Sequence, residues 1–392
     1  MSVSPKLNIV ADAHIWGVRS AFSSIPGFDV DLSVLENGEI TRETLKETDI
    51  LLTRSSTQVD ARLLEGTAVR FAATATIGDD HYDKAWLEQN SIAWANAAGS
   101  STGSVIEYMM TALIELHALK LISLPDITLG IIGVGRIGSA LADVCSGLDI
   151  QLLLNDPPRE RLEGEEGFSS IDSVLSEADV VTLHTPLLKE GDDRTFHLID
   201  SEWLSRFQGR GIINAARGGC VDNKALLTWL DGDAQRFAVL DCWEGEPDVL
   251  KTLLAHPQMI IATPHIAGHS LDGKAANTQY VYQALCRYLG VEPVWSMEEE
   301  LPAIDPTECE DVDHDLWQGL SILTTALYPI MRDNQVMKDW LGEAGNSMAK
   351  AFSSFRRNYP VRRAWESQQI KAVNASEALI SHAQKIGIDV RN

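Results

Sequence analysis

The sequence predicts an α/β protein with two doubly wound parallel sheets, followed by a C-terminal α+β module. Short apolar runs alternate with helical patterns from Leu7 to Leu289. Such alternation is typical of parallel strands that are joined through helices. A glycine-rich strand-to-helix turn begins at Gly133, and after Gly290 the chain changes to acidic, loop-like stretches. The turn predicts a ligand site in the second sheet, and the change in sequence composition after Gly290 predicts an appended module.

The glycine-rich turn follows the apolar run 129–132 and has the spacing G-x-G-x-x-G. In a dinucleotide site the first glycine permits the tight turn, and the second lets backbone N–H groups approach the pyrophosphate. The third glycine lets the helix pack closely on the strand, and the helix N-terminus stabilises the phosphate charge. An ordinary glycine-rich turn without a ligand is the alternative. We predict that the cofactor-binding residues of this turn are Gly133, Gly135, Arg136, Ile137 and Gly138.

The nature of the dinucleotide is indicated by Asp156, which follows the next apolar run, 150–154. A carboxylate at this place accepts hydrogen bonds from the adenosine ribose and repels a 2′-phosphate. Asp156 therefore favours NAD over NADP. Arg159 and Arg161 stand close by in the sequence and keep NADP open as the alternative.

The first part of the chain contains strand-like runs at 7–10, 50–53, 69–75 and 91–94, with a long helical and loop segment between the first two. Polar residues follow two of these runs. Because ligands bind beyond the carboxyl ends of parallel strands, Arg54, Ser55 and Thr76 are candidate substrate contacts. A role as loop caps is the alternative for each of them.

Composition excludes several functional classes. The 392 residues carry a formal net charge of −24, which argues against binding nucleic acid or an anionic membrane. No apolar run approaches the roughly 18 residues that a membrane-spanning helix needs. Five cysteines without C-x-x-C spacing indicate reduced thiols, and the N-terminus lacks a signal-peptide pattern. We therefore expect a cytoplasmic protein.

Three polar residues follow strand-like runs of the second sheet. Arg217 follows the run 211–214, Glu246 comes soon after 236–240, and His265 follows 259–262. In a parallel sheet all three project into one crevice. An arginine fork binds a carboxylate, and a histidine exchanges a proton with an alcohol while hydride leaves the same carbon. A carboxylate beside the imidazole favours its charged form. The three residues predict a dehydrogenase that acts on a 2-hydroxy acid.

A metal site is the weaker alternative for this chemistry. The histidines lack a ligand spacing such as H-E-x-x-H, and the cysteines do not complement them. Hydride transfer needs no metal where Arg217 supplies the positive charge. We expect no metal.

The chain resembles the D-isomer-specific 2-hydroxyacid dehydrogenase family in four segments. They are the glycine turn 133–138, Asn-Ala-Ala-Arg-Gly-Gly-Cys-Val-Asp at 214–222, Asp-Cys-Trp-Glu-Gly-Glu-Pro at 241–247 and Thr-Pro-His-Ile-Ala-Gly at 263–268. The resemblance implies two Rossmann-like domains and NAD as cofactor. It implies Arg217 and Glu246 as active-site residues and His265 as the proton donor in the reductive direction. It further places Asp156, Thr185, Asp241 and Gly268 at the cofactor, and Ser55 and Thr76 at the substrate.

The resemblance also implies a division into domains and a homodimer. Residues 1–98 and 268–289 would form a flavodoxin-like substrate-binding domain, residues 99–267 the NAD-binding domain, and residues 290–392 a dimerisation domain. At position 269 this chain has a histidine where the family usually offers a tyrosine as a substrate contact. Because imidazole also donates hydrogen bonds, His269 remains a predicted substrate contact.

A narrower resemblance points to members of the family that act on a small phosphorylated 2-hydroxy acid. It rests on Arg54-Ser55, the segments 74–76, 155–158, 196–198 and 243–247, and the tail segments 355–359 and 362–365. Clustered cations in an acidic chain suggest a phosphate site formed by some of Arg54, Arg356, Arg357, Arg362 and Arg363. Ion pairs on a solvated surface are the alternative for the tail arginines.

Two other functions remain open from the sequence alone. One is a D-2-hydroxyacid dehydrogenase for another acid, such as phosphoglycerate or glyoxylate. The other is a nicotinamide-dependent corepressor or scaffold without turnover, which the intact Arg217, Glu246 and His265 argue against.

Overall fold

A computed structural model describes residues 4–312, 315–342 and 347–391. The chain folds into two compact units. Unit 1 contains the residues up to Ser101 together with Ser270–Ala303, and unit 2 contains Thr102–His269 together with the residues from Ile304 onward. The predicted α/β class with parallel Rossmann-like sheets is confirmed, because all the β-strands of the described residues pair in parallel.

The elements are numbered in chain order. The first are β1 (Lys6–Asp12), α1 (Val18–Phe22), β2 (Asp29–Leu35), β3 (Ile50–Thr53), α2 (Ala61–Leu64), β4 (Phe71–Thr74), α3 (Lys84–Gln89), β5 (Ala93–Asn96) and α4 (Thr102–Ala118). There follow β6 (Thr128–Ile132), α5 (Arg136–Gly147), β7 (Gln151–Asn155), α6 (Pro157–Glu163), α7 (Ile171–Glu177), β8 (Val180–Leu183), α8 (Ser201–Arg206), β9 (Gly211–Asn214), α9 (Asn223–Asp231), β10 (Phe237–Leu240), α10 (Lys251–Leu254), β11 (Met259–Ala262) and α11 (Leu271–Leu289). The last are β12 (Thr307–Cys309), α12 (Leu316–Leu327), α13 (Ile330–Asp339), α14 (Ser347–Arg357), β13 (Gln369–Ala372), α15 (Glu377–Lys385) and β14 (Asp389–Arg391).

Unit 1 is built on a parallel sheet with the strand order β2-β1-β3-β4-β5. The order reverses between β1 and β3, which marks the topological switch point of a flavodoxin-like sheet. The expectation of only a helical and loop segment between β1 and β3 was wrong, because β2 lies there. β2 forms the exposed edge of the sheet and carries Asp29 and Asp31 among partly buried apolar residues, so it lacks the continuous apolar run of an inner strand.

Unit 2 contains the second sheet, with the strand order β11-β10-β9-β8-β6-β7. Its topological switch point lies between β6 and β8. The glycine turn begins directly after β6. β9, β10 and β11 are neighbours, so the loops that follow them emerge side by side at one edge. The inner strands are almost wholly buried, as expected where helices cover both faces of a sheet.

The C-terminal segment from Ile304 onward is part of unit 2. It adds a small parallel sheet with the order β12-β13-β14. Leu320 and Leu323 of α12 and Trp365 share one buried apolar cluster with Met109 and Leu113 of α4. This segment therefore completes the core of unit 2, while the division into three domains and the dimerising role of the third stay predictions.

Two further features concern the whole chain. No helix among the described residues is both long and apolar enough to cross a membrane. All five cysteine thiols are free and buried. Burial raises the pKa of each, and that of Cys145 reaches about 12.

Candidate active site

The glycine turn connects β6 to α5 and is packed tightly at its two ends. Gly133 has φ 88°, and a Cβ atom there would lie 2.8 Å from the backbone of His184 and from Cγ2 of Thr185. A Cβ atom on Gly138 would lie 2.0 Å from the carbonyl oxygen of Gly133. Gly135, by contrast, is exposed and a Cβ atom there would meet nothing within 4 Å. Of the three glycines, only Gly135 at the N-terminus of α5 has open space around it, and this is where a pyrophosphate would approach. The three glycines therefore fit a dinucleotide site.

Asp156 is attached to this turn by hydrogen bonds. Its carboxylate accepts one from the N–H of Val134 (2.8 Å) and one from the N–H of Arg159 (3.1 Å), which caps α6. It therefore lies beside the glycine turn, at the end of β7, as predicted for a ribose-binding carboxylate. Both neighbouring guanidinium groups are paired with acids: Arg159 with Glu163 at 2.7 Å and Arg161 with Asp193 at 2.6 Å. This pairing weakens the case for a 2′-phosphate site.

Arg217, Glu246 and His265 follow the adjacent strands β9, β10 and β11. Nδ1 of His265 donates a hydrogen bond to Oε1 of Glu246 at 2.5 Å, since a carboxylate can only accept. The two side chains are 28% and 24% exposed, so the pair can be reached from solvent. This bond fixes the proton on Nδ1 and leaves Nε2 as the atom that exchanges a proton with a ligand.

The environment of Glu246 favours its ionised form. Burial of the carboxyl raises its pKa, but His265, the positive charge of Arg356 and the N–H of Trp243 together outweigh burial and hold the pKa below the usual value of 4.5. Trp243 donates that hydrogen bond to Oε2 at 3.1 Å. Glu246 is therefore a carboxylate at neutral pH and a suitable partner for an imidazolium.

Asp241 organises the backbone around His265. Its carboxylate accepts hydrogen bonds from the hydroxyl of Thr263 (2.8 Å) and from the N–H groups of Ile266 (2.7 Å) and Ala267 (3.0 Å). Its carbonyl oxygen accepts the N–H of His265 at 2.7 Å, and His265 has φ 55°, in the left-handed region. Such a conformation persists in a non-glycine residue when its surroundings over-determine it. The loop thus holds the imidazole in place before any ligand binds.

Arg217 lies on a loop that is tied to the end of β9. Asn214 accepts a hydrogen bond from the N–H of Ala216 (3.0 Å) and donates to the carbonyl groups of Arg217 (2.9 Å) and Cys242 (3.3 Å). The guanidinium of Arg217 is half-buried, and its Nη1 donates to the carbonyl of Ala216 at 2.8 Å. These contacts fix the base of the loop and present the guanidinium at the same sheet edge as His265.

Several residues that support this site were not singled out from the sequence. Asn214 and Trp243 stand within the family segments and carry side-chain hydrogen bonds that the pattern alone does not reveal. The hydroxyl of Tyr108 lies 2.8 Å from that of Thr263, far away along the chain. Tyr108 belongs to a helix with no motif, so no sequence signal marks it.

The remaining predicted residues of unit 2 lie on the loops around the same edge. Thr185 follows β8, and its hydroxyl is 3.5 Å from Sγ of Cys220. Gly268 and His269 follow the His265 loop, and the ring of His269 is 6.1 Å from that of Tyr359, edge to face. Their assignment to cofactor or substrate stays a prediction, as does that of Asp241.

Unit 1 carries the predicted substrate contacts at the ends of its strands. Arg54 and Ser55 follow β3, and Thr76 follows β4 with its hydroxyl 2.7 Å from that of Thr74. Ser55 is exposed, whereas Nη1 of Arg54 donates to the carbonyl of His14 at 3.1 Å. These residues are therefore placed beyond the carboxyl ends of the strands, as ligand contacts of a parallel sheet are.

A small cleft lies near the switch point of unit 1 and is cationic. Its lining includes His14, Trp16, Arg54, Lys274 and Asn277. Burial and the nearby charge of Arg54 lower the pKa of Lys274 to about 8. Two cationic side chains that repel each other here would be stabilised by an anion.

Known proteins resemble this chain over nearly its whole length. A family model described as "D-isomer specific 2-hydroxyacid dehydrogenase, NAD binding domain" matches residues 107–267. An erythronate-4-phosphate dehydrogenase of Chromohalobacter salexigens is 37% identical over 98% of this chain and 97% of its own. One of Marinobacter nauticus is 39% identical over 98% of this chain and 99% of its own.

The chain belongs to the D-isomer-specific 2-hydroxyacid dehydrogenase family. Its curated relatives at this level of identity place it in the erythronate-4-phosphate dehydrogenase group of that family. It is an NAD-dependent dehydrogenase, as the sequence predicted.

Solved structures of this dehydrogenase family share the fold of most of the chain. A D-lactate dehydrogenase from Aquifex aeolicus, complexed with NAD and lactic acid, has a TM-score of 0.59 and 23% identity over 72% of this chain and 96% of its own. An NAD-dependent formate dehydrogenase from Staphylococcus aureus, in complex with NAD, has a TM-score of 0.58 and 24% identity over 74% of this chain and 98% of its own. Roughly a quarter of this chain therefore lies outside the fold that these dehydrogenases share.

Proposed function

We propose that this dehydrogenase oxidises 4-phospho-D-erythronate to (R)-3-hydroxy-2-oxo-4-phosphobutanoate with NAD, a step toward pyridoxine 5′-phosphate. The observation that carries the chemistry is the hydrogen bond between His265 and Glu246, on strand ends adjacent to that of Arg217. The names of the curated relatives support the substrate.

In this reaction each of the three side chains has a distinct task. Nε2 of His265 takes the proton of the C2 hydroxyl, and Glu246 stabilises the imidazolium that results. Arg217 binds the carboxylate and polarises the forming carbonyl group. NAD, when bound, supplies the acceptor for the hydride that leaves C2. In the reductive direction the same imidazolium returns the proton.

The residues that would hold NAD are those of the glycine turn, with Asp156 at the ribose and Thr185, Asp241 and Gly268 nearer the nicotinamide. For the substrate we propose Ser55, Thr76, Arg54 and His269 as contacts, the first three from unit 1. We further propose a homodimer that forms through the C-terminal segment, in the cytoplasm. Light scattering of the purified protein tests the dimer, and a mass of one chain would contradict it.

Comparing substrates tests the function directly. Purified protein with NAD is expected to oxidise 4-phosphoerythronate with a much higher kcat/KM than 3-phosphoglycerate or glycolate. A preference for 3-phosphoglycerate or glycolate would assign the chain to another 2-hydroxyacid dehydrogenase. Binding of NADH without turnover of any of these acids would support a scaffold.

Replacing His265 tests the mechanism. We expect His265→Ala to lower kcat about 10²–10⁴-fold, the usual contribution of a positioned acid–base group. NADH binding, measured by fluorescence titration, should persist because the glycine turn is untouched. Turnover near that of the wild type would exclude His265 as the proton-transfer group.

A further inference from the structure

Arg356, near the C-terminal end of α14, lies beside the catalytic histidine. Its Nε donates a hydrogen bond to the carbonyl oxygen of His265 at 3.2 Å. Its charge is close enough to lower the pKa of the Glu246 carboxyl and to oppose the burial that raises the pKa of the Cys242 thiol. A residue of the C-terminal segment thus contributes positive charge directly at the reaction centre of unit 2.

The guanidinium of Arg356 is held by one nitrogen and keeps the other two available. Among the residues that the structure describes, neither Nη1 nor Nη2 has a hydrogen-bond or ion-pair partner, and the side chain is half-buried. The ring of Phe352 lies 5.9 Å from the guanidinium carbon and restricts it further. A guanidinium fixed in this way presents two parallel N–H donors, the geometry that binds phosphate oxygens.

The other tail arginines have different surroundings. Arg362 is buried, lies 3.4 Å from Glu107 and donates to the carbonyl of Ala267 at 3.0 Å. Its guanidinium stacks on the ring of Tyr328 at 4.1 Å, so it is committed within the protein. Arg357 is exposed and forms no hydrogen bond or ion pair with the His265 loop in the described part of the chain. Arg356 alone of these three combines nearness to His265 with available donors.

The proposed substrate carries two anionic groups, a carboxylate next to C2 and a phosphate on C4. Arg217 accounts for the carboxylate, and C4 is two carbon–carbon bonds from the carbon that reacts at His265. We propose that Nη1 and Nη2 of Arg356 bind the phosphate group of the substrate, within the same chain as the catalytic residues. This inference rests on the proposed function. It assigns the preference for phosphorylated acids to a residue of the C-terminal segment. The related dehydrogenase structures cover only 72–74% of this chain.

A comparison of two substrates in three variants tests this assignment. Arg356→Gln should raise KM for 4-phosphoerythronate about 10–100-fold, as expected for the loss of a charged hydrogen-bond pair. The ratio of kcat/KM between 4-phosphoerythronate and unphosphorylated erythronate should fall by a similar factor. Arg356→Lys should recover part of this ratio because it keeps the charge, and the adjacent Arg357→Gln should keep the wild-type ratio. An equal loss on both substrates in Arg356→Gln would overturn the proposal, because Arg356 would then act only by holding the His265 loop.

Inorganic phosphate provides a second measurement that does not depend on the identity of the substrate. We expect it to inhibit competitively the wild type and Arg357→Gln, and at least tenfold more weakly Arg356→Gln. NADH binding, followed by fluorescence, should be the same in all three proteins and reports an intact fold. If 4-phosphoerythronate proves not to be a substrate, the proposed function fails, and phosphate inhibition is then measured with the 2-hydroxy acid that is turned over. Equal phosphate inhibition in the wild type and in Arg356→Gln would overturn the phosphate site in either case.

Discussion

The carboxyl group of Glu246 is ionised at neutral pH although the folded protein buries most of it. It is mostly buried, yet its pKa lies below the usual value because of His265, Arg356 and the N–H of Trp243. A carboxyl group whose pKa is lowered by folding stabilises the folded state above its unfolded pKa and loses that contribution as the pH falls through the folded value. The contribution of Glu246 to stability is therefore present at neutral pH and is lost below about pH 4.5.

Glu246→Gln tests both the catalytic and the stabilising role of this carboxylate. We expect kcat to fall by on the order of 10²–10⁴-fold, because the imidazolium loses the group that orients and stabilises it. We also expect the difference in the free energy of unfolding between wild type and variant to shrink as the pH is lowered below 4.5. Urea titrations at several pH values measure this difference. A difference that stayed constant down to pH 3 would show that the carboxylate contributes nothing through its charge.

The common location of the three residues that we propose for the reaction could be predicted from the sequence, because each follows a recognisable strand. Arg217, Glu246 and His265 are all brought to one sheet edge by parallel neighbours. The supporting residues could not be predicted in this way. Tyr108 reaches Thr263 from a helix more than a hundred residues earlier, and Arg356 reaches His265 from a tail helix. Such contacts depend on tertiary packing that no local pattern encodes.

At the scale of a single element, the turn from β6 to α5 depends on Gly138, the third glycine of the G-x-G-x-x-G pattern. We expect Gly138→Ala to lower the free energy of unfolding by about 1–3 kcal/mol or more and to weaken NADH binding, because the new methyl group would strike the carbonyl of Gly133. Gly147, at the end of the same helix, has open space around it and is the matched control. Gly147→Ala should leave binding unchanged and stabilise the protein by up to about 1 kcal/mol. Thermal unfolding and NADH titration of both variants measure these effects, and equal behaviour of the two would contradict the packing argument.

The segment after α14 is joined to α4 by a buried ion pair. Arg362 and Glu107 are 5% and 7% exposed, and Glu107 also accepts the N–H of Trp365 at 2.7 Å. We expect Arg362→Met to destabilise the protein by about 3–5 kcal/mol, because it removes the positive charge that compensates the buried carboxylate of Glu107. Adding Glu107→Gln should recover part of that loss, since the remaining group is then neutral. Urea unfolding of the two single variants and the double variant gives the interaction energy between Arg362 and Glu107. A double variant no more stable than Arg362→Met would contradict this explanation.

The strand β2 shows where element prediction from sequence fails. Its exposed residues include Asp29 and Asp31, which are unfavourable in strands on average, and its apolar residues are only partly buried. The inner strands β3, β4 and β9 are buried throughout, and their continuous apolar runs were predicted correctly. An edge strand pairs along one side only, so its sequence is less constrained than that of its neighbours.

On the scale of the whole molecule, the fold class could be predicted because alternating strands and helices persist from one end of the shared fold to the other. The packing of the C-terminal segment against the rest of unit 2 could not be predicted. Acidic loops around Glu298 and Glu310 indicate a boundary in the sequence, yet Leu320, Leu323 and Trp365 share a buried cluster with α4. The composition of the sequence identifies exposed loops. It does not show which distant apolar residues share a core, because these come together only in the folded protein.

A chain that ends at Ala303 tests how far unit 2 depends on this segment. We expect the truncated protein to be insoluble or unfolded, because the apolar face of α4 that packs against α12 would be exposed to water. Expression level and circular dichroism measure the outcome. A truncated protein that unfolds cooperatively and binds NADH would show that the C-terminal segment is a separable module.

The five buried thiols have a practical consequence for observing this enzyme at work. Because the thiolate is the reactive form of cysteine, thiols that are both buried and raised in pKa react slowly with maleimides. Cysteines introduced at exposed positions, such as Glu88 in unit 1 and Lys224 in unit 2, would then accept a fluorophore pair in the otherwise natural chain. The emission of each dye would report on its own unit as NAD and substrate bind, without a cysteine-free background.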